Sequence, residues 1–172
     1  MLKLGVIGYG LRIRGLIDLM QRLNAGTEVV AITDPRGEEI RRRMEADGRE
    51  CGKIRFHGDP DEMLDREQLD GVMIGTRCSL HTPMAIKVLK RNLPLFLEKP
   101  VATKMEELLA LRSAMESSAS EVVVSFPLRV TPLVKLAREI IESGRIGTVE
   151  HVQAWNNVPY GWVYFQGWYR DE

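Results

Sequence analysis

Gly8, Gly10 and Asp34 are the residues whose types and spacing first suggest chemistry. Gly8-Tyr9-Gly10-Leu11-Arg12-Ile13 follows a short apolar run, Leu2, Leu4, Val6 and Ile7, and precedes a helical pattern. Glycine at position 8 lets the chain turn sharply off a strand. Glycine at position 10 has no Cβ, so a pyrophosphate can approach the backbone. The helix behind it offers that anion unpaired N–H groups and a positive dipole end. Asp34 stands 24 residues after Gly10, near the ~20-residue spacing of a ribose-binding acid. A carboxylate there accepts from both adenosine ribose hydroxyls and repels a 2′-phosphate, which favours NAD over NADP, although Arg36 nearby leaves NADP open. The plainer alternatives are a strand–helix turn that binds nothing and an Asp34 that caps the next helix ahead of Pro35. The third glycine of the dinucleotide pattern is missing. Ile13 stands where close helix–strand packing asks for a small residue. The helix is therefore expected to pack farther from its strand, or Gly15 to take over the close approach.

Elements able to hold these residues alternate along the chain. Leu11, Leu16, Leu19, Met20 and Leu23 recur at helical spacing. Glu28 to Asp34 is an apolar run ending in an acid, a second buried strand closed by Pro35. Arg36 to Asp47 predicts an exposed helix, and its Arg41-Arg42-Arg43 run, interspersed with acids, a solvated face. Ile54 to Phe56 predicts a short strand. Asp59-Pro60 caps and opens a helix. Asp70 to Gly75 is a fourth strand. Thr82-Pro83 predicts the cap and first position of a helix through Lys90. Pro94 to Leu97 is a fifth strand. Thr103 to Glu106 matches a capping box opening a helix through Met115, and Glu121 to Ser125 is a sixth strand. The strands are continuous apolar runs without polar alternation, as in a parallel sheet covered on both faces. The expected fold is α/β, a doubly wound parallel sheet over residues 1–125.

The pattern changes after Ser125. A helix from Pro132 to Ile141 is followed by Gly147 to Trp155, which alternates as a strand does, and by an aromatic tail containing Trp162 and Trp168. One helix and one long strand do not make a domain. Residues 126–172 are expected to open a second, incomplete α+β domain. Its tryptophans are expected to form core or a subunit interface more readily than a sugar pocket.

Composition excludes several classes. The chain has 172 residues, 44% hydrophobic and 28% charged, and carries 24 basic and 24 acidic residues. Zero net charge gives no electrostatic footprint for nucleic acid or an anionic membrane. No run approaches the ~20 apolar residues of a membrane span. The N-terminus reads as a strand rather than a signal segment. Cys51 and Cys78 lie 27 residues apart without metal-ligand spacing, and both read as reduced thiols. A cytoplasmic protein with no metal site is expected.

Four stretches together resemble the Gfo/Idh/MocA family of nicotinamide-dependent oxidoreductases: Gly8-Tyr9-Gly10, Ala31 to Pro35, Ile74 to His81, and Leu97-Glu98-Lys99-Pro100. Phe126 to Pro132 and Ser143 to Gly147 are similar to that family's entry into its second domain. Arg77-Cys78 departs from the usual Pro-Asn, and the family's chains are about twice this length. The resemblance implies a Rossmann domain and hydride transfer between NAD, or NADP, and a sugar or polyol. It implies Lys99 as the catalytic residue, at the carboxyl end of a parallel strand, where such sheets bind ligands. There its ammonium hydrogen-bonds the reacting carbinol oxygen and, partly desolvated, exchanges its proton. The cofactor set it implies is Gly8, Tyr9, Gly10, Leu11, Arg12, Asp34, Thr76, His81, Glu98 and Lys99. Glu98 orients the lysine or holds the nicotinamide ribose. His81 is as open to a structural role as to a cofactor contact, while His57 and His151 read as ordinary surface or sheet residues. Proton-sharing His and Asp partners are implied beyond residue 172, as is a homo-oligomer. An NAD-dependent glycoside hydrolase and a non-catalytic nucleotide-binding or regulatory module remain the alternatives.

Overall fold

A computed structural model of the chain describes residues 1–49 and 51–157. It divides into two compact units, Met1–Phe126 and a second beginning at Pro127. The first contains six strands: β1 (Leu2–Ile7), β2 (Thr27–Thr33), β3 (Arg55–His57), β4 (Gly71–Ile74), β5 (Leu95–Leu97) and β6 (Val122–Val124). Between them run α1 (Leu11–Arg22), α2 (Gly37–Ala46), α3 (Pro60–Arg66), α4 (His81–Leu89) and α5 (Met105–Glu116). All five strand pairings are parallel, and the order is β3-β2-β1-β4-β5-β6. This is the doubly wound Rossmann arrangement, whose direction reverses between β1 and β4. Ligands of such sheets bind in the crevice outside the carboxyl ends of the strands at that reversal.

The side chains explain why the sheet is covered twice. Neighbours along a strand point to opposite faces. Val6, Ile32 and Met73 pack with Ile13 and Ile17 of α1 and Ile40 and Met44 of α2. Ile7, Ala31, Ile74 and Leu97 pack on the other face with Met63 and Leu64 of α3, Val88 and Leu89 of α4 and Leu111 of α5. Most of these side chains are almost wholly inaccessible. Burying each large one contributes roughly 1.5–3 kcal/mol.

Several local expectations shift. The buried face of α1 is Ile13 and Ile17, with Leu16 and Met20 flanking, while Leu11, Leu19 and Leu23 are exposed. Leucine identity misled the phase; burial follows the i, i+4 spacing from Ile13. Asp59 caps α3 as expected, its carboxylate accepting from the Asp61 and Glu62 N–H groups at 2.8 and 3.1 Å. The box at α5 moves by one residue. Thr103 donates from its N–H and hydroxyl to Glu107, not Glu106, at 3.0 and 3.1 Å, because the helix starts at Met105. Thr82 does not cap α4. A 3₁₀ turn, Cys78–Leu80, leads directly into a helix that starts at His81, which places Thr82 inside it.

In the second unit, a 3₁₀ turn at Pro127–Val130 leads to α6 (Pro132–Glu142), with Pro132 at its first turn. No residue of α6 is buried. Residues 148–157 form no strand, contrary to the expectation for Thr148 to Trp155. Alternation makes a strand possible, but a strand needs a ladder partner, and none pairs with this segment among the described residues. Trp155 is exposed; Trp162 and Trp168 lie outside the described residues.

Candidate functional site

The carboxyl ends of β1, β2, β4 and β5 bring Gly8–Gly10, Asp34, Thr76 and Glu98–Lys99 to one edge of the sheet. Backbone bonds carry the ladder to this edge. Gly8 N–H donates to Thr33 O at 2.8 Å, Gly75 N–H to Ile7 O at 3.0 Å and Glu98 N–H to Ile74 O at 3.0 Å. Gly8 has φ +84°, and a Cβ there would stand 2.7 Å from the Thr76 nitrogen. Both the left-handed backbone and the missing side chain are required. Gly10 is different: its φ is −76°, and an added Cβ would meet only Gly75 O, at 3.6 Å. The protein itself does not demand glycine at 10, because a Cβ there would make only an ordinary van der Waals contact.

Ile13 is accommodated by a device the sequence did not announce. A Cβ on Gly75 would lie 2.0 Å from Ile13 Cγ1. The close approach is therefore made between Ile13 and a glycine at the end of β4. Gly15 has nothing within 4 Å of its Cβ position and takes no part. A glycine ending the fourth strand was the available signal, but it acquires meaning only once β4 lies beside β1.

Asp34 is buried at 8% exposure and ties the glycine turn to β2. Its Oδ2 accepts from Tyr9 N–H at 2.9 Å, and its Oδ1 accepts from Arg36 N–H at 2.9 Å and Arg36 Nε–H at 3.3 Å. A carboxylate has about four acceptor positions, so Oδ2 retains capacity for one more donor. The Asp34 carboxylate thus ties the glycine turn to the start of the next helix. The cleft beside it is lined by Tyr9, Gly10, Arg36, Arg43 and Arg49, among others. Arg49 is held bidentately by Asp18 at 2.6 and 3.0 Å, a bond that also holds the Asp18 carboxyl below the usual range. Tyr9's ring is packed in the core, and burial pushes its phenol up. Its backbone N–H is the group bonded to Asp34. Leu11 is exposed in the first turn of α1.

At the opposite end, Arg12 of α1 reaches toward β5, with Nε 3.7 Å from Glu98 Oε1. Glu98 is buried, whereas Lys99 is exposed. The described residues do not supply the partial desolvation expected for the lysine. The Lys99–Pro100 peptide bond is cis. Thr76 is half-buried, with its hydroxyl donating to Arg77 O at 3.2 Å.

His81 does not face the crevice with a free polar atom. It is 2% exposed, with Nδ1 2.6 Å from Pro100 O and Nε2 3.1 Å from Thr76 O. Both ring nitrogens stand against backbone carbonyls, an arrangement that suits the structural role. His57 likewise meets Glu67, at 2.9 Å from Nε2. Both cysteines are free. No group of metal-ligating side chains is present among the described residues, and no helix there is long and apolar enough to cross a membrane.

Residues 2–126 match a family model described as an oxidoreductase family with an NAD-binding Rossmann fold. An inositol 2-dehydrogenase of Saccharopolyspora erythraea is 30% identical over 148 residues, covering 85% of this chain and 42% of that protein. An NAD(+)-dependent scyllo-inositol 2-dehydrogenase of Bacillus subtilis is 29% identical, covering 86% of this chain and 38% of its own length. Among solved structures, the WlbA dehydrogenase of Bordetella pertussis, in complex with NADH and UDP-GlcNAcA, matches with a TM-score of 0.74 and 25% identity. That match covers 85% of this chain and 43% of that one. The chain thus spans less than half the length of the relatives it matches.

Proposed function

The chain belongs to the Gfo/Idh/MocA oxidoreductase family, and on that premise we propose that it is the cofactor-binding portion of an NAD-dependent dehydrogenase acting on a polyol or sugar. The observation that carries this is Asp34. Its buried carboxylate is anchored to the glycine turn at 2.9 Å and keeps an acceptor position on Oδ2. A ribose hydroxyl fits that position, whereas a 2′-phosphate meets a negative charge there. Arg36 contacts the same carboxylate, its Nε 3.3 Å from Oδ1, and the comparison of NADH with NADPH weighs its charge against that of Asp34.

The residues divide the work along the edge of the sheet. Gly8 and Gly10 clear the approach to the N–H groups that open α1, which take the pyrophosphate together with Arg12. Thr76 and Glu98 hold the nicotinamide ribose. Bound NAD supplies the hydride acceptor. As the neutral amine Lys99 accepts the carbinol proton when the alcohol is oxidised, and as the ammonium it returns that proton to the oxygen in reduction. Water exclusion and further proton handling fall to a second domain opening at residue 127, and the intact protein assembles with copies of itself. The inositol dehydrogenases among its relatives support a cyclic polyol over an open-chain substrate.

Two measurements test this. Titrating NADH and NADPH against the chain, with reduced-nicotinamide fluorescence as readout, is expected to show saturable and tighter binding of NADH. A panel of cyclic polyols with NAD⁺ and the full-length protein is expected to give reduced nicotinamide at a rate that Lys99→Ala lowers by about 10²–10⁴. Undiminished turnover in that variant removes Lys99 from the chemistry.

A further inference from the structure

We infer that His81 and Thr82 are positioning residues for Lys99. They are adjacent at the start of α4, and their side chains are 2% and 3% exposed. His81 contacts Pro100 O through Nδ1 at 2.6 Å, and Thr82 Oγ1 donates to Val101 O at 2.8 Å. Two consecutive side chains thus bind two consecutive carbonyls, which belong to the residues directly after Lys99. Through Nε2, His81 also reaches Thr76 O at 3.1 Å. Thr82 thus bonds the turn after β5, and the His81 ring stands between that turn and the loop after β4.

Lys99 has little of its own to hold it. Its side chain is exposed. On the strand side the ladder reaches Glu98, whose N–H donates to Ile74 O. On the other side Pro100 has no N–H to offer a neighbour. The carbonyls at 100 and 101 meet their partners on α4, His81 and Thr82. Apolar side chains would pack beside the buried Ala85, Val88 and Leu89 without the cost of burying polar atoms. What the polar pair adds is a defined backbone path through the turn that carries the lysine. A ring with one proton donates to one of its two carbonyls, and a ring with two donates to both.

This role rests on Lys99 and the crevice being the cofactor site, and the test separates the two. Backbone amide spectra and NADH affinity are compared for the wild-type chain, Thr82→Val, Thr82→Ser and Leu111→Ala. Leu111→Ala serves as a destabilised comparison with the clamp intact. The expected result is that Thr82→Val moves or splits the Lys99 amide signal in the ligand-free chain and weakens NADH by about fivefold, one hydrogen bond's worth. Thr82→Ser restores both, and Leu111→Ala loses stability with the Lys99 signal in place. If Thr82→Val fails to fold, His81→Gln, which keeps a donor, is expected to disturb Lys99 less than His81→Leu does. A Lys99 signal unmoved by Thr82→Val, or moved equally by Leu111→Ala, overturns the positioning role. Failure of the wild type to bind NADH overturns the cofactor reading instead, while the ligand-free comparison still decides the clamp.

Discussion

The two ends of the crevice are built differently. At the Asp34 end, the glycine turn, the carboxylate and Arg36 are joined by bonds of 2.9–3.3 Å, and Gly8 admits no side chain. At the Lys99 end, the buried Glu98 meets Arg12 only at 3.7 Å, and the lysine is exposed. The chain completes the part that grips a common nucleotide. It leaves open the part proposed for substrate chemistry, behind which His81 and Thr82 contact the Pro100 and Val101 carbonyls. A pre-formed grip costs little ordering when the ligand arrives, while an open end leaves room for groups that lie outside this chain.

Substitutions at the two ends are expected to separate along these lines. Gly8→Val carries the largest effect. It forces a β-branched residue to φ +84° with its Cβ 2.7 Å from the Thr76 backbone. A stability loss of about 3 kcal/mol or more in denaturant unfolding is expected, with NADH binding lost. Gly75→Ala comes next, at about 1–3 kcal/mol of overpacking against Ile13. Because the clash is with one side chain, the pair Gly75→Ala with Ile13→Ala is expected to be more stable than the sum of the single changes predicts. A double-mutant cycle measures this, and strict additivity contradicts the Ile13–Gly75 fit.

Lys99→Ala tests the open end and is expected to leave stability within about 0.5 kcal/mol, since the side chain is exposed. Turnover by the full-length protein is expected to fall by about 10²–10⁴. A large stability loss contradicts the contrast drawn here. The smallest effect is with pH. Asp18, bonded by Arg49, and Asp61, bonded by Lys87, have carboxyls held below the usual range. A carboxyl lowered in the folded state stabilises above its unfolded value and loses that contribution as pH falls toward its folded one. Stability is therefore expected to stay level near neutrality and to decline below about pH 4, as followed by denaturant titration across pH.

How much could be read in advance follows from the range of each interaction. Asp59 on its own helix start, and the apolar runs that make a parallel sheet, are local features, and they were legible. So was the placement of Asp34 after the second strand. The Ile13–Gly75 fit joins residues 62 positions apart, and nothing near either one announces the other. His81 looked equally open to both roles because a histidine's role depends on which atoms face its ring, here two carbonyls from separate loops. Thr148 to Trp155 had the right alternation for a strand, but pairing is a property of two segments, and the described residues hold no partner.

The central claim, that Asp34 makes this edge of the sheet an NAD site, is tested most directly by titrating NADH and NADPH against the wild type and Asp34→Ala. The wild type is expected to bind NADH at least about tenfold tighter than NADPH, a difference of about 1.4 kcal/mol. In Asp34→Ala, NADH is expected to weaken and the gap to close. Equal affinity for both nucleotides in the wild type, or a preference that survives Asp34→Ala unchanged, contradicts the account.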